Sequence, residues 1–361
     1  MRMGVDELRD LANGAAFLGA GGGGDPYIGR LLATSAIEEF GAPELVSAED
    51  INDEARVLTI AMLGAPTVIL EKAVSGDDIE FVIRSLEAKL DQKADYLMSI
   101  EIGGVNSLVP VMAAARLGLP LIDADGMGRA FPAIQMVTFN AFGVSATPLV
   151  MADDHGTSMV VEAPTAEAAE DIVRAASVPL GCSAVISCYP MLGRQVKDCA
   201  VLGTLSLARS IGKIIADNQQ SEDPVESLVA HLRTTPYYSR CEILFDGKVV
   251  DVRRELRDGF SVGTVRLQSL KSETSIMEVQ FQNEFLVAKL NGKTKAIVPD
   301  LVCLVDRETA QPILADGVRY GQRIKVLGVS APSVMRADES LSIFGPQAFR
   351  MDEPFVPLED L

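Results

Sequence analysis

DYLMSIEIGGVNSLVPVMAAARLGLPLID, residues 95–123, is the stretch that decides the fold. Apolar runs at 95–101 and 119–123 predict two strands, and the apolar spacing between them predicts a helix over 106–117. A strand, a helix of about a dozen residues and a second strand form the crossover unit that joins parallel strands. The stretch therefore predicts an α/β domain built on a parallel sheet.

The alternation of strands and helices extends on both sides of this stretch. It predicts, in chain order, a strand at 57–63, a helix at 77–91, and less regularly a strand at 158–162, a helix at 166–177, a strand at 183–189, a helix near 199–217 and a short helix at 224–233. The parallel α/β domain is thus expected to cover residues 1–236.

The pattern changes at about residue 237 to short β-rich runs. Turn pairs separate these runs at Asp246-Gly247, Asp258-Gly259 and Asn291-Gly292. Closely spaced turn signals are typical of a compact antiparallel sandwich or barrel. We therefore expect a smaller all-β domain over 237–361, with a tail after Pro332 that could return to the first domain.

The N-terminal segment predicts a helix, a glycine loop and a second helix. Gly19, Gly21 and Gly24 fit the spacing of a dinucleotide fingerprint, but that motif needs a strand before it, and residues 5–18 have helical spacing. Backbone N–H groups at such a loop suit an anionic or carbonyl oxygen ligand, whereas the alternative is a simple turn between helices. We predict substrate contacts from Gly21, Gly22, Gly23 and Asp25.

Polar residues follow the two strands of the deciding stretch. Glu101 and Asn106 come after the first strand, and Asp123, Asp125 and Arg129 come after the second. Ligands of open parallel sheets sit beyond the carboxyl ends of strands, so these residues predict one crevice. We predict Glu101, Asp123 and Asp125 as catalytic acids, with Asp123 activating water, and Asn106 and Arg129 as substrate-binding residues. The alternative is helix capping, or an internal salt bridge between Asp123 and Arg129.

Composition excludes several classes of function. Lys and Arg number 32 against 50 Asp and Glu, a formal charge of −18, so binding to nucleic acid or an anionic membrane surface is not expected. Only two histidines occur, which excludes a three-histidine zinc site. His155, beside Asp153 and Asp154, could be a general base, a metal ligand or an exposed turn residue.

The cysteines and the hydropathy of the sequence indicate the cellular compartment in which the protein is expected. The five cysteines form an odd set without a CxxC pair, and the sequence begins without a secretory pattern. No uncharged apolar run reaches the length of a membrane span. We therefore expect a reduced, cytoplasmic protein whose cysteines are mostly core residues.

Several segments together resemble the S-methyl thiohydantoin desulfurase-like family, long catalogued as a domain of unknown function and often found beside hydantoinase and oxoprolinase subunits. They are the glycine loop 19–26, EIGGVN at 101–106, GLPLIDADGMGRAFP at 118–132 with Gln135-Met136, and the pairs Asn283-Glu284 and Pro299-Asp300. The resemblance spans almost the whole chain, and its D-x-D-G-M-G-R-A-F-P block is long enough to be specific.

The resemblance implies an N-terminal α/β domain, a C-terminal β domain and a hydrolase acting on a small cyclic amide or thiohydantoin. Water would attack the carbon that carries the S-methyl group, releasing methanethiol and leaving a hydantoin. The strand-end acids would supply the base, and Arg129, Asn106 and the glycine-loop amides would donate hydrogen bonds.

Two other functions stay open at this point. One is a metal-dependent, hydantoinase-like cyclic amide hydrolase in which Asp123, Asp125 and His155 hold a divalent metal. The other is a non-catalytic partner subunit of a hydantoinase or oxoprolinase. The sequence identifies no cofactor, and a homo-oligomer is compatible with it.

Overall fold

The computed structural model describes residues 1–64, 76–257 and 259–361. Its helices are α1 (Val5–Leu18), α2 (Pro26–Phe40), α3 (Asp77–Leu90), α4 (Val109–Leu117), α5 (Thr138–Ala141), α6 (Ala166–Ser177), α7 (Gly193–Cys199), α8 (Thr204–Asp217), α9 (Pro224–Leu232), α10 (Ser333–Arg336) and α11 (Asp338–Phe344). Within these ranges no helix is both long and apolar enough to cross a membrane.

The strands fall into two large sheets and one short pair. They are β1 (Leu45–Val46), β2 (Arg56–Gly64), β3 (Tyr96–Ser99), β4 (Leu121–Ile122), β5 (Ala124–Asp125), β6 (Leu149–Ala152), β7 (Ser158–Val161), β8 (Ser183–Ser187), β9 (Met191–Leu192), β10 (Val201–Leu202), β11 (Cys241–Arg257), β12 (Phe260–Ser269), β13 (Ile276–Gln282), β14 (Glu284–Leu290), β15 (Lys293–Ile297), β16 (Leu301–Asp306) and β17 (Arg323–Val329).

One half of the first sheet is parallel, as the sequence predicts. The strand order is β1-β4-β3-β2-β8-β6-β7, and β1, β4, β3 and β2 run parallel, with Val57–Ile60 of β2 paired to Tyr96–Ser99 of β3. Residues 57–63 of β2 are buried without interruption, which is typical of a strand covered on both faces. The α/β class is confirmed.

The other half of that sheet is antiparallel, so the sheet is mixed. The strands predicted at 158–162 and 183–189 exist as β7 and β8, but β8 pairs antiparallel with β2 and β6, and β6 pairs antiparallel with β7. A tight turn accounts for the β6–β7 pair: the Asp153 carboxylate accepts the amides of His155 and Thr157, and this turn joins β6 to β7 as a hairpin. β6 itself was not predicted.

The region from β11 to β17, within the predicted all-β domain, is built of antiparallel strands, as predicted. Its seven strands form an antiparallel sheet in the order β15-β14-β13-β12-β11-β17-β16. Asn291-Gly292 makes the predicted turn between β14 and β15, whereas the prediction of a turn at Asp246-Gly247 is wrong. Those two residues continue β11, where they pair with Lys325 and Ile324 of β17. Asp258, of the third pair, lies outside the described residues.

Close helix packing fixes the glycine loop. A Cβ on Gly14 of α1 would lie 1.7 Å from the Ala208 carbonyl oxygen of α8, and one on Gly212 of α8 would lie 1.8 Å from the Asp10 carbonyl oxygen. The two helices therefore touch backbone to backbone, which holds the C-terminal end of α1 and the loop that follows it.

The C-terminal segment contacts the first half of the chain. The Phe131 ring lies 4.8 Å from Phe344 of α11 and 6.2 Å from Phe349, measured between ring centroids. The domain boundary expected at 236/237 remains a prediction.

Candidate functional site

The glycine loop, residues 19–24, joins the two large sheets through its carbonyl groups. Phe285 of β14 donates its amide to the Ala20 oxygen at 2.7 Å, and Ala315 donates to the Gly21 oxygen at 2.8 Å. Val105 donates to the Gly23 oxygen at 2.9 Å. The loop therefore lies between the residues that follow β3 and the start of β14.

Asp25 ends this loop on its exposed side. Its carboxylate accepts the Tyr27 amide at 2.9 Å and so caps α2, with Pro26 at the first helical position. This contact gives Asp25 a capping role, which is the ordinary use of Asp before a helix. The structure does not bring Asp25 into contact with the buried acids described next.

Glu101 is a buried acid in the turn after β3. Its Oε1 accepts the Asn106 side-chain amide at 2.6 Å, and Asn106 is held in turn by the amide and carbonyl of Met62 on β2. Its Oε2 has no hydrogen-bond partner among the described residues. Burial, with a smaller contribution from the charge of Asp125, raises the pKa of Glu101 to about 8.

Asp125 is a second buried acid, and its hydrogen bonds to described residues all go to one of its two carboxylate oxygens. Its Oδ2 accepts the backbone amides of Ile102, Met127 and Gly128 at 2.8 to 3.0 Å. Its Oδ1 has no hydrogen-bond partner in the described part of the chain. Burial raises the pKa of Asp125 to about 7, although the three amides and the nearby Thr204 hydroxyl oppose the shift.

Glu284, at the start of β14, is a third buried acid, and the sequence did not single it out as a site residue. It is 2% exposed, its Oε1 faces Gly22, and its Oε2 is unpaired within the described residues. Burial and the charge of Glu101 raise the pKa of Glu284 well above its usual value, and Arg129 opposes the shift. The available signal was a glutamate opening the apolar run EFLVA, beside Asn283.

Arg129 is fully buried, and its guanidinium is occupied by backbone carbonyls. Nε donates to Ala130, Nη1 to Pro299 and Asp300, and Nη2 to Phe285, over 2.9 to 3.3 Å. The fork predicted to bind substrate thus joins the turn after β5 to the second sheet. No salt bridge to Asp123 is among the ion pairs of the described residues.

Asp123 is turned away from the buried acids by the helix that it caps. Its Oδ1 accepts the amides of Leu205 and Ser206 at 2.9 and 3.1 Å, at the N-terminus of α8. It also lines a surface cleft of about 440 Å³ with Met1 and Asp50. The structure therefore brings Glu101, Asn106 and Asp125 together but gives Asp123 a separate place.

The histidines and cysteines offer no second reactive cluster. His155 is exposed in the β6–β7 turn, and His231 lies with Nε2 3.0 Å from the Ser210 hydroxyl. Burial raises the pKa of the Cys188 and Cys241 thiols to about 12. Across residues 1–64, 76–257 and 259–361, no three His, Cys, Asp or Glu side chains are grouped to hold a metal ion, so Asp123, Asp125 and His155 form no such set.

The site is thus a buried group of three carboxyls, each with one oxygen that has no partner among the described residues. The charge of Asp125 contributes to the raised pKa of Glu101, and the charge of Glu101 contributes to the raised pKa of Glu284. Burial raises the pKa of all three carboxyls, to about 8 for Glu101 and about 7 for Asp125, and carboxyls with raised pKa values can exchange protons at neutral pH.

Comparison with known proteins agrees with this architecture. No curated protein is significantly similar to the chain. A crystal structure of a protein from Chromobacterium violaceum has the same fold, with a TM-score of 0.83 and 22% identity over 99% of this chain and 100% of that chain. Residues 6–163 match the model of the S-Me-THD-like N-terminal domain, and residues 164–358 match that of the C-terminal domain. The chain therefore belongs to the S-Me-THD-like family, the family of S-methyl thiohydantoin desulfurase-like proteins.

Proposed function

We propose that the protein is a hydrolase that converts an S-methyl thiohydantoin to the corresponding hydantoin and methanethiol. The observation that carries the proposal is the pair of buried carboxyls, Glu101 and Asp125, each with one unpaired oxygen and a pKa near neutrality. Membership of the S-Me-THD-like family supports the class of substrate.

The surroundings of the two carboxyls suggest their roles. Three backbone amides stabilise the ionised form of Asp125, which suits a base, whereas burial and the charge of Asp125 raise the pKa of Glu101 and so favour its protonated form, which suits an acid. The three amides on Oδ2 of Asp125 hold its carboxylate still and leave Oδ1 for water. The Asn106 side chain holds Oε1 of Glu101 by a hydrogen bond and leaves Oε2 to face the ring nitrogen.

The proton balance requires both groups. Glu101 protonates the ring nitrogen of the C=N bond while Asp125 takes one proton from the attacking water, and a carbon–oxygen bond forms. The carbon–sulfur bond then breaks, the sulfur takes the proton from Asp125, and the new hydroxyl returns its proton to Glu101 as the carbonyl forms. The Glu101 proton thus ends on nitrogen and one water proton on sulfur, the second water proton replaces the one that Glu101 gave up, and both carboxyls return to their starting states.

The test is release of methanethiol from a 5-substituted S-methyl thiohydantoin, with the hydantoin identified by mass spectrometry. We expect Glu101→Gln and Asp125→Asn each to lower turnover by about a hundredfold or more. Glu278→Gln is the matched control, because Glu278 lies on β13 in a half-exposed ion pair with Arg266. Absence of turnover by the wild-type protein would refute the proposal and favour a non-catalytic subunit.

Two further measurements separate the proposal from its alternatives. Asp123→Asn retains a capping oxygen for α8, so an effect on turnover as large as that of Asp125→Asn would restore Asp123 as the base. Chelator treatment is expected to leave turnover unchanged. Loss of turnover that a divalent metal restores would support the metal-dependent hydrolase instead.

A further inference from the structure

Glu284 is fixed in position by its neighbours on β14 and β12. The following residue, Phe285, donates its amide to Ala20 and accepts a hydrogen bond from Arg129 at 2.9 Å. The preceding residue, Asn283, exchanges two hydrogen bonds with the Ser261 backbone, at 2.8 and 2.9 Å. The carboxyl is therefore presented from a rigid backbone.

The glycine loop leaves room for this carboxyl. A Cβ on Gly22 would lie 2.1 Å from Oε1 and 2.5 Å from Cγ of Glu284. Gly22 does not have a positive φ, so the close approach of Glu284 is what excludes a side chain there. The space over Gly22 is filled by the Glu284 carboxyl.

One oxygen of that carboxyl is buried without a partner. Oε2 of Glu284 forms no hydrogen bond with any described residue, and a buried polar atom left unpaired costs free energy. The nearest buried cation, Arg129, has its donors on four backbone carbonyls. The partner missing from Oε2 is thus expected to come from a ligand.

We infer that Glu284 is a substrate-binding residue supplied by the second sheet, and that its Oε2 donates a hydrogen bond to the ring carbonyl of the bound thiohydantoin. This inference rests on the proposed function and extends it. Burial raises the pKa of Glu284 well above its usual value, which favours the protonated carboxyl, and in that form Oε2 donates rather than accepts. The ring carbonyl is common to substrate and product, so Glu284 binds both.

The test compares two substitutions of similar size. Glu284→Gln keeps a neutral donor, whereas Glu284→Met removes it, and Glu278→Gln again serves as the control. Calorimetric binding of hydantoin, the product ring, is measured beside turnover of the S-methyl thiohydantoin. For Glu284→Met we expect roughly tenfold weaker binding and a similar rise in KM, since one hydrogen bond is lost, and for Glu284→Gln a change below about threefold.

The outcomes distinguish failure of this inference from failure of the proposed hydrolase function. Turnover by the wild type with unchanged binding in Glu284→Met would refute the role of Glu284 and leave the hydrolase standing. Equal losses in Glu284→Gln and Glu284→Met would show that the ionised carboxylate is needed, which also refutes the donor role. Wild-type protein that neither binds hydantoin nor turns over the thiohydantoin would refute both.

Discussion

Arg129→Lys should destabilise the protein rather than remove a substrate contact. The guanidinium is fully buried and donates to four backbone carbonyls on two sides of the molecule: Ala130 near β5, and Phe285, Pro299 and Asp300 in the second sheet. A lysine ammonium is a point donor, so it cannot span acceptors that the planar fork reaches together.

The magnitude follows from the number of bonds lost. If the ammonium keeps two of the four bonds, two charged hydrogen bonds at about 1.5 to 3 kcal/mol each are lost, or about 3 to 6 kcal/mol. An unfolding entropy of about 2.1 cal/mol/K per residue gives about 0.76 kcal/mol/K for 361 residues. The melting temperature should then fall by about 4 to 8 °C.

Differential scanning calorimetry of the wild type and of Arg129→Lys measures this change, with hydantoin titrated into the folded variant. Arg253→Lys is the control, because the Arg253 side chain is 79% exposed and pairs with Asp251 at the surface; we expect its unfolding free energy to stay within about 0.5 kcal/mol of that of the wild type. Weakened hydantoin binding at an unchanged melting temperature would refute this reasoning and restore Arg129 as the substrate fork that the sequence suggested.

Three further predictions concern the acids and the glycine loop. The pKa of Glu101 is about 8 in the folded protein against 4.5 ordinarily, so the folded state binds the proton more tightly and the unfolding free energy falls as the pH rises between those values. Glu101→Gln should reduce the pH dependence of the unfolding free energy measured in urea, and the same dependence in variant and wild type would contradict this. Asp123→Ala should cost about 1 kcal/mol of unfolding free energy through the lost cap on α8, with turnover unchanged in the methanethiol assay; a loss of turnover without a loss of stability would contradict the capping role. Gly22→Ala should displace the Glu284 carboxyl and weaken hydantoin binding roughly tenfold by calorimetry, and unchanged binding would contradict the contact.

The parallel half of the first sheet could be predicted because its information is local. Its crossover units β2–α3–β3 and β3–α4–β4 span only residues 56–99 and 96–122, and apolar spacing identifies the strands and helices of both. The antiparallel pairing of β8 with β2 could not be predicted, because β8 reaches β2 across more than a hundred residues of chain. No local pattern states the direction in which two such distant strands will pair.

The same distinction explains the site. Strand-end reasoning predicted that Glu101, Asn106 and Asp125 lie together, as they do, because β3 and β4 end at one edge of the sheet. It could not separate Asp125 from Asp123, because the amides that Asp123 caps belong to a helix about 80 residues later. Glu284 and the carbonyl partners of Arg129 likewise arrive from distant segments, so sequence spacing alone could not place them.

The hydrogen bonds from Phe285 and Ala315 to the glycine loop set the second sheet against the first at the point where Glu284 approaches Glu101. If the thiohydantoin ring binds between those two carboxyls as proposed, it acts as a non-covalent cross-link between the sheets. Its binding free energy adds to the free energy that holds the two sheets together, so a substitution that loosens the contact between the sheets also weakens ligand binding. Substitutions far from the carboxyls, on the backbone contacts of residues 20, 21, 285 and 315, would therefore act as affinity variants without touching the ring.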